Sequence, residues 1–168
     1  MGELRDIPTP STVNVMQHPV HPTLVVFPIS FLISTVFSDA AFLWTGREFW
    51  AELSFWLAGA GLAVGLLAAG VGMIDFFTMR EVRRHISGWS HFLAGTMALA
   101  LAGANTQLRW DDPAAAVWPG GFMLSMTMAA VVAATGWLGG TRTFKHGIGT
   151  YGHDAADDAD REDAPPME

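Results

Sequence analysis

The chain has 168 residues, 51% of them hydrophobic and only 15% charged, with seven Trp and eleven Phe against a single Tyr. At a mean hydropathy of +0.31 it lies outside the balance of a water-soluble domain. A formal charge of −7 excludes a nucleic-acid binder working through a basic surface, and the lack of any cysteine excludes disulfides, Fe–S clusters and covalently attached c-type haem.

Residues 1–20 are polar and lack the basic start, short apolar core and small-residue cleavage site of a secretory leader, so no cleavage is expected. A hydrocarbon layer about 30 Å thick needs roughly 20 apolar residues per helix. Four stretches meet that requirement, at about 23–44, 53–77, 92–108 and 117–138. The expected fold is therefore all-α: a polytopic four-helix membrane bundle over 21–152, with a polar N-terminal tail before it and an acidic tail over 153–168 after it. In that tail seven acids between Asp154 and Glu168 accompany the one Arg161, the composition of a solvated, disordered end. No repeat of 20–50 residues relates the four windows.

The first helix is expected to begin after Pro22, a residue favoured near a helix start, and to run through Pro28 to Trp44, where "TGREFWAE" turns the chain. The second carries Gly61 and Gly65 at the spacing that lets two backbones approach closely, with Ala69 a further step along; Ala98 and Ala102 in the third, and Ala129 and Ala133 in the fourth, repeat it. Three small-residue faces describe a packed bundle. The methionines Met123, Met126 and Met128 spread around the fourth helix and read as filling.

Basic residues set the orientation. Arg5, Arg80, Arg83, Arg84, Arg142, Lys145 and Arg161 fall on one side, and Arg47 and Arg109 on the other. That bias places both termini in the cytoplasm.

All six histidines, His18, His21, His85, His91, His146 and His153, fall on the cytoplasmic side of this topology, at the same level as Asp75 near the end of the second helix. A carboxylate inside a span is normally held by a partner, and an imidazole that is cationic or bound to a metal would serve, as would Arg80 or Arg83 reaching back. Asp39 is the other intramembrane acid, near the outer interface. Arg109 and Asn105 lie at its depth, and it reads as structural; Asn105 and Gln107 read as interhelical hydrogen-bonding groups. Imidazoles with a carboxylate suit a transition-metal ion, and two imidazoles from different helices suit a b-type haem. Gly70, Gly72, Gly136, Gly139 and Gly140 could leave a slot for the macrocycle, although close helix packing also uses such glycines.

The phrases "HPTLVVFPIS", "GMID", "SGWSH" and "GWLGGTRTFKHGIGTYG" together resemble the DUF2231 family of small bacterial membrane proteins, over about residues 18–152. The resemblance picks out His21 with Pro22, Phe27 with Pro28, then Asp75, His91, Gly136, Gly139, Gly140, His146 and Gly147. Where the family usually has an acidic and an apolar residue, this chain has Thr141 and Arg142. Some relatives look fused or adjacent to redox modules, which implies an electron-transfer setting.

The expected function is accordingly that of a multi-pass protein of the bacterial inner membrane with a site at its cytoplasmic face. His21, His91 and His146 with the glycines Gly136, Gly139 and Gly140 would hold haem b, or His21, Asp75, His91 and His146 a metal ion, for electron transfer with redox proteins. The alternative is a non-catalytic accessory subunit docking on a larger membrane complex. A proton path through Asp39 and Asp75 is a weaker third reading, and no catalytic residue is assigned.

Overall fold

The computed structural model describes the backbone over residues 14–15, 18–78 and 86–146, and side chains over 20–78 and 88–137. Arg5, Arg80, Arg83, Arg84, His85, His153, Arg161 and the acidic tail lie outside the described residues, as do the side chains of His18, Gly139, Gly140, Arg142, Lys145 and His146. Two short strands, β1 (Asn14–Val15) and β2 (His18–Pro19), pair antiparallel with Val15 opposite His18. They lead into α1 (Val20–Thr45), followed by α2 (Glu48–Thr78), α3 (Ile86–Leu108), the single turn α4 (Pro113–Ala116) and, after a wide turn over Val117–Gly121, α5 (Phe122–His146).

Each boundary has a local cause. Pro22 falls in the first turn of α1, where a missing backbone N–H costs nothing. Gly46 ends that helix with φ of +64°, a conformation a Cβ would disfavour, and its N–H reaches the Phe42 carbonyl at 2.7 Å. Asp112 caps α4 by accepting from the Ala115 N–H at 3.0 Å, with Pro113 in the first helical position. Ahead of Pro119, Trp118 leaves helical geometry (φ −114°, ψ 135°), which widens the turn before α5.

The helices run up, down, up and down, with α1–α2, α2–α3, α3–α5 and α5–α1 as neighbouring pairs; α1 and α3 thus face each other across the bundle axis. Among the described residues three helical segments, Val20–Thr45, Glu48–Thr78 and Pro113–Trp137, are long and apolar enough to cross a bilayer. The 23-residue α3 packs between α2 and α5 as the fourth helix. His91, Asn105, Thr106 and Gln107 interrupt its apolar run.

The outside of the bundle is apolar and the inside is small and polar, the reverse of a soluble protein. Phe27, Phe37, Trp56, Leu67, Leu93 and Met123 are exposed. Trp44, Trp110 and Trp118 stand outward at one end, and Trp89 and Trp137 at the other, as interfacial tryptophans do. Without a hydrophobic drive between helices in lipid, close packing must hold the bundle. On α2 the inward seam reads Ala51, Ser54, Ala58, Gly61, Gly65 and Ala68, all buried, and continues to Gly72, alternating steps of three and four as in left-handed helix packing. A Cβ on Gly61 would collide with the Leu32 side chain, and one on Gly65 would lie 2.7 Å from Leu99 Cδ2.

Two expected faces are corrected. The α2 seam turns to Ala68, not Ala69, because a period of 3.5 residues takes three-residue steps as well as four. On α5 Ala129 is only half-buried and Ala133 exposed, while Ser125, Met128 and Val132 are buried. Small residues there serve general packing, and Met128 fills the axis with Leu32, Ala98, Ala102 and Val132.

Candidate functional site

Polar side chains occupy the bundle axis at two levels. Eighteen residues separate His21 from Asp39 on α1, and eighteen separate His91 on α3 from Arg109, the residue directly after that helix's end. Eighteen residues are five helical turns, about 27 Å, so each helix presents both polar groups on one face. The two levels lie nearly a hydrocarbon thickness apart. Between them Leu32, Ala98, Ala102, Met128 and Val132 form an apolar plug.

At the first level a buried ion pair joins α1 to α3. Arg109 donates from Nη1 to Asp39 Oδ1 at 2.9 Å and from Nη2 to Asp39 Oδ2 at 2.7 Å, with both side chains fully buried. Its Nε–H donates to Asn105 Oδ1 at 2.7 Å. Asn105 Nδ2 then donates to Ser125 Oγ at 2.9 Å, Arg109 Nη2 donates to the same oxygen at 3.1 Å, and Ser125 completes the circuit by donating to Asp39 Oδ2 at 2.7 Å. Room for the guanidinium comes from Gly121, where a Cβ would sit 2.8 Å from Nη2. The bidentate geometry and the further bonds to both partners are what a buried pair requires to offset desolvation. The structural role expected for Asp39 and Asn105 holds. Gln107 is exposed on α3 and takes no part, since its side chain lies two residues off the seam.

At the second level two imidazoles meet. His21 on α1 and His91 on α3 have ring centres 6.3 Å apart and planes at 88°. Each is anchored at Nδ1 to a backbone carbonyl of another helix: His21 to Ala68 of α2 at 2.9 Å, and His91 to Thr135 of α5 at 3.2 Å. A carbonyl only accepts, so both Nδ1 atoms carry the proton, and in a neutral ring the lone pair then resides on Nε2. The His21 ring lies directly on Gly72, where a Cβ would come within 2.7 Å of Cε1 and 2.8 Å of Nδ1. Phe76 stacks on Phe92 at 5.0 Å and meets Trp89 edge-on at 4.9 Å, closing α2 against α3 beside the pair.

The helix ends differ from those expected in ways that matter here. Because α1 starts at Val20 and α3 at Ile86, His21 lies within the first turn of its helix rather than ahead of it, and His91 in the second turn. The helix α5 continues through His146, which thus lies on that helix, past the Pro113–Trp137 segment that is long and apolar enough to cross a bilayer. Asp75 is half-buried on α2, three residues past Gly72 and so on the same side of the helix. Among the described residues no group of three or more His, Cys, Asp or Glu side chains could hold a metal ion. Gly70 and Gly136 are exposed, and Gly95, one turn from His91, has no described atom within 4 Å of where its Cβ would be.

Sequence reasoning did not assign a role to Ser125, Gly121 or the Ala68 and Thr135 carbonyls. Ser125 could have been found as a hydroxyl at the depth of Asp39; a carbonyl acceptor leaves no sequence signal.

A family model described as "Predicted membrane protein (DUF2231)" matches residues 17–152. No curated protein and no solved structure matches the chain.

Proposed function

The chain belongs to the DUF2231 family of predicted membrane proteins, and from that premise we propose that it binds a b-type haem between His21 and His91 and serves electron transfer. The single observation that carries this reading is the meeting of two imidazoles from opposite helices, each with Nδ1–H committed to a carbonyl. With Nδ1 of each ring donating to a carbonyl, Nε2 is the ring nitrogen that would ligate an ion. An Nδ1–H held by a backbone carbonyl is the usual way a ligating histidine is oriented and made more basic.

The ligand count separates haem from a bare ion. A transition-metal ion in a protein takes four or more ligands, and only two imidazoles converge among the described residues. A macrocycle brings four nitrogens of its own and asks the protein for two axial groups. Two imidazoles opposed across one ion place their ring centres on the order of 6 Å apart, given metal–nitrogen bonds of about 2 Å, in keeping with the observed 6.3 Å. Gly72 gives the His21 ring its place against α2, and Gly95, one turn from His91, has nothing described within 4 Å of its missing Cβ. Bound there, haem would carry one electron at a time. The protein's part is to supply both ligands, to exclude water with Phe76, Phe92 and Trp89, and to insulate the site from the far end with the apolar plug.

The arginine bias puts this end of the bundle at the cytoplasmic face of a bacterial inner membrane, within reach of soluble redox proteins or a larger membrane complex. His146, Gly139 and Gly140 lie on the last turns of α5, the helix whose Thr135 carbonyl anchors His91, and Asp75 lies on the same side of α2 as Gly72. A second reading rests on the same two carbonyl bonds: a histidine that satisfies a helix carbonyl can be purely structural, and the protein would then be an accessory subunit.

Purification in mild detergent, with visible spectra before and after dithionite and metal analysis of the same sample, tests the choice. The expected result is a Soret band, sharpened α and β bands on reduction, and loss of all of them in His21→Ala and in His91→Ala. Stoichiometric metal without colour would move the site to a bare ion. Colourless, metal-free protein that stays so after incubation with hemin would leave the accessory reading.

A further inference from the structure

We infer that α3 is a conditional span: it crosses the membrane because Asp39, already in place on α1, receives the arginine at its end. This role of the pair is independent of any haem. It also goes beyond fastening a finished bundle, because it decides which side of the membrane the turn between α3 and α4 reaches. Three segments, Val20–Thr45, Glu48–Thr78 and Pro113–Trp137, are long and apolar enough to cross unaided, and α3 is not among them. Its apolar run is interrupted by His91, Asn105, Thr106 and Gln107, and Arg109 follows directly after its last residue. Arginine in a short loop beside a span is held back from translocation. To span, α3 must carry Arg109 to the face where the turn between α1 and α2 lies.

The order of the chain selects the partner. The hydroxyls of α1 and α2 are satisfied within their own hairpin: Ser38 donates to Trp50 O at 2.8 Å, Thr35 to Phe31 O at 3.1 Å and Ser54 to Thr35 O at 3.5 Å. Asp39 is the exception. Its carboxylate is fully buried, yet among the described residues it takes no hydrogen bond from α2 and bonds Arg109 and Ser125 instead. On α3 the hydroxyls of Thr96 and Thr106 turn back on their own helix, each 2.9 Å from a carbonyl one turn earlier. Arg109 has no such recourse. Asn105 accepts from its Nε–H at 2.7 Å, but Nη1 and Nη2 need an acceptor outside α3. Ser125 belongs to α5, which is synthesised after α3, so the Asp39 carboxylate is the acceptor present when Arg109 arrives. An unpaired charge is costly inside a span. Asp39, near the end of α1 at Thr45, can wait at the interface, whereas Arg109 has the whole bilayer to cross.

The chain has no cysteine, so single cysteines report the topology directly. Asp111→Cys marks the turn between α3 and α4, and Glu48→Cys the turn between α1 and α2; both positions are exposed. Full-length chains carrying one or the other are made by cell-free translation into inverted bacterial membrane vesicles. The radiolabelled products are treated with a membrane-impermeant maleimide before and after addition of detergent, so later degradation of a variant does not enter the result. The expected result for the parent chain is protection of both cysteines until detergent is added. Asp39→Ala is expected to raise labelling at position 111 before detergent at least fivefold and to leave position 48 protected. Asp39→Leu combined with Arg109→Met, which leaves α3 no arginine to carry, is expected to restore protection at 111.

Position 111 protected in Asp39→Ala would overturn the inference, since α3 would then cross by itself and the pair would only tighten a formed bundle. Exposure of position 48 in the same variant would overturn it as well, because the α1–α2 hairpin would not be the platform that receives α3. A double variant as exposed at 111 as Asp39→Ala would show that the unpaired charge is not what holds α3 back, and exposure of 111 in the parent chain would show that α3 does not span. None of these readouts involves hemin, so failure of the haem reading leaves them untouched.

Discussion

The two ends of the bundle solve one problem in opposite ways. Each places a polar group from α1 against one from α3, five helical turns apart along the same faces. Asp39 and Arg109 are complementary, and with Asn105 and Ser125 they close a circuit that needs nothing from outside. His21 and His91 are alike. Neither can satisfy the other, and each turns instead to a carbonyl of a third or fourth helix. In a membrane a closed circuit of opposites fastens helices to one another, whereas the histidine end ties each ring to a neighbouring helix through a backbone carbonyl.

Removing one member of the closed end should have the largest effect. Asp39→Ala leaves Arg109 buried without its counter-ion, and we expect a loss of about 3–5 kcal/mol, read as a lowered unfolding midpoint in mixed micelles. Replacing both members by Leu and Met should restore most of that loss, because well-packed apolar side chains often equal a buried pair; a double variant as unstable as the single one would show that the circuit contributes more than charge neutralisation. Ser125→Ala removes one hydroxyl from the circuit and strands the Asn105 amide, for about 1–3 kcal/mol, measured in the same way.

In the apolar plug, Gly65→Val forces a side chain against Leu99, and overpacking of that kind costs about 1–3 kcal/mol. The smallest effect on stability belongs to the other end. His91→Ala gives up the neutral hydrogen bond to Thr135, worth about 1 kcal/mol, and on the haem reading abolishes hemin uptake. Should His91→Ala destabilise the bundle as much as Asp39→Ala, the contrast between a fastening end and a binding end would fail.

The four helices, the small-residue packing and the shared depth of Asp39, Asn105 and Arg109 can be read from the chain, because twenty apolar residues in a row and an acid among them admit few solutions in lipid. The shared level of His21 and His91 can be read as well, since a strict up-down topology carries residues far apart in sequence to the same interface. The choice of His21 with His91 cannot. It depends on α1 and α3 being diagonal partners, and nothing in a linear string states which helices are diagonal.

What the sequence alone determined is thus the set of spans, their order and the level of each polar group, all of which follow from chain length measured against bilayer thickness. The tertiary structure decided which side of each helix turns inward: Ala68 over Ala69, Met128 and Val132 over Ala129 and Ala133, and Gly72 beneath an imidazole. A soluble helix announces its inner face through alternation of apolar and polar residues. A helix in lipid is apolar all round, so its inner face is set by shape and by a few hydrogen bonds, and these exist only once the neighbouring helices are in place.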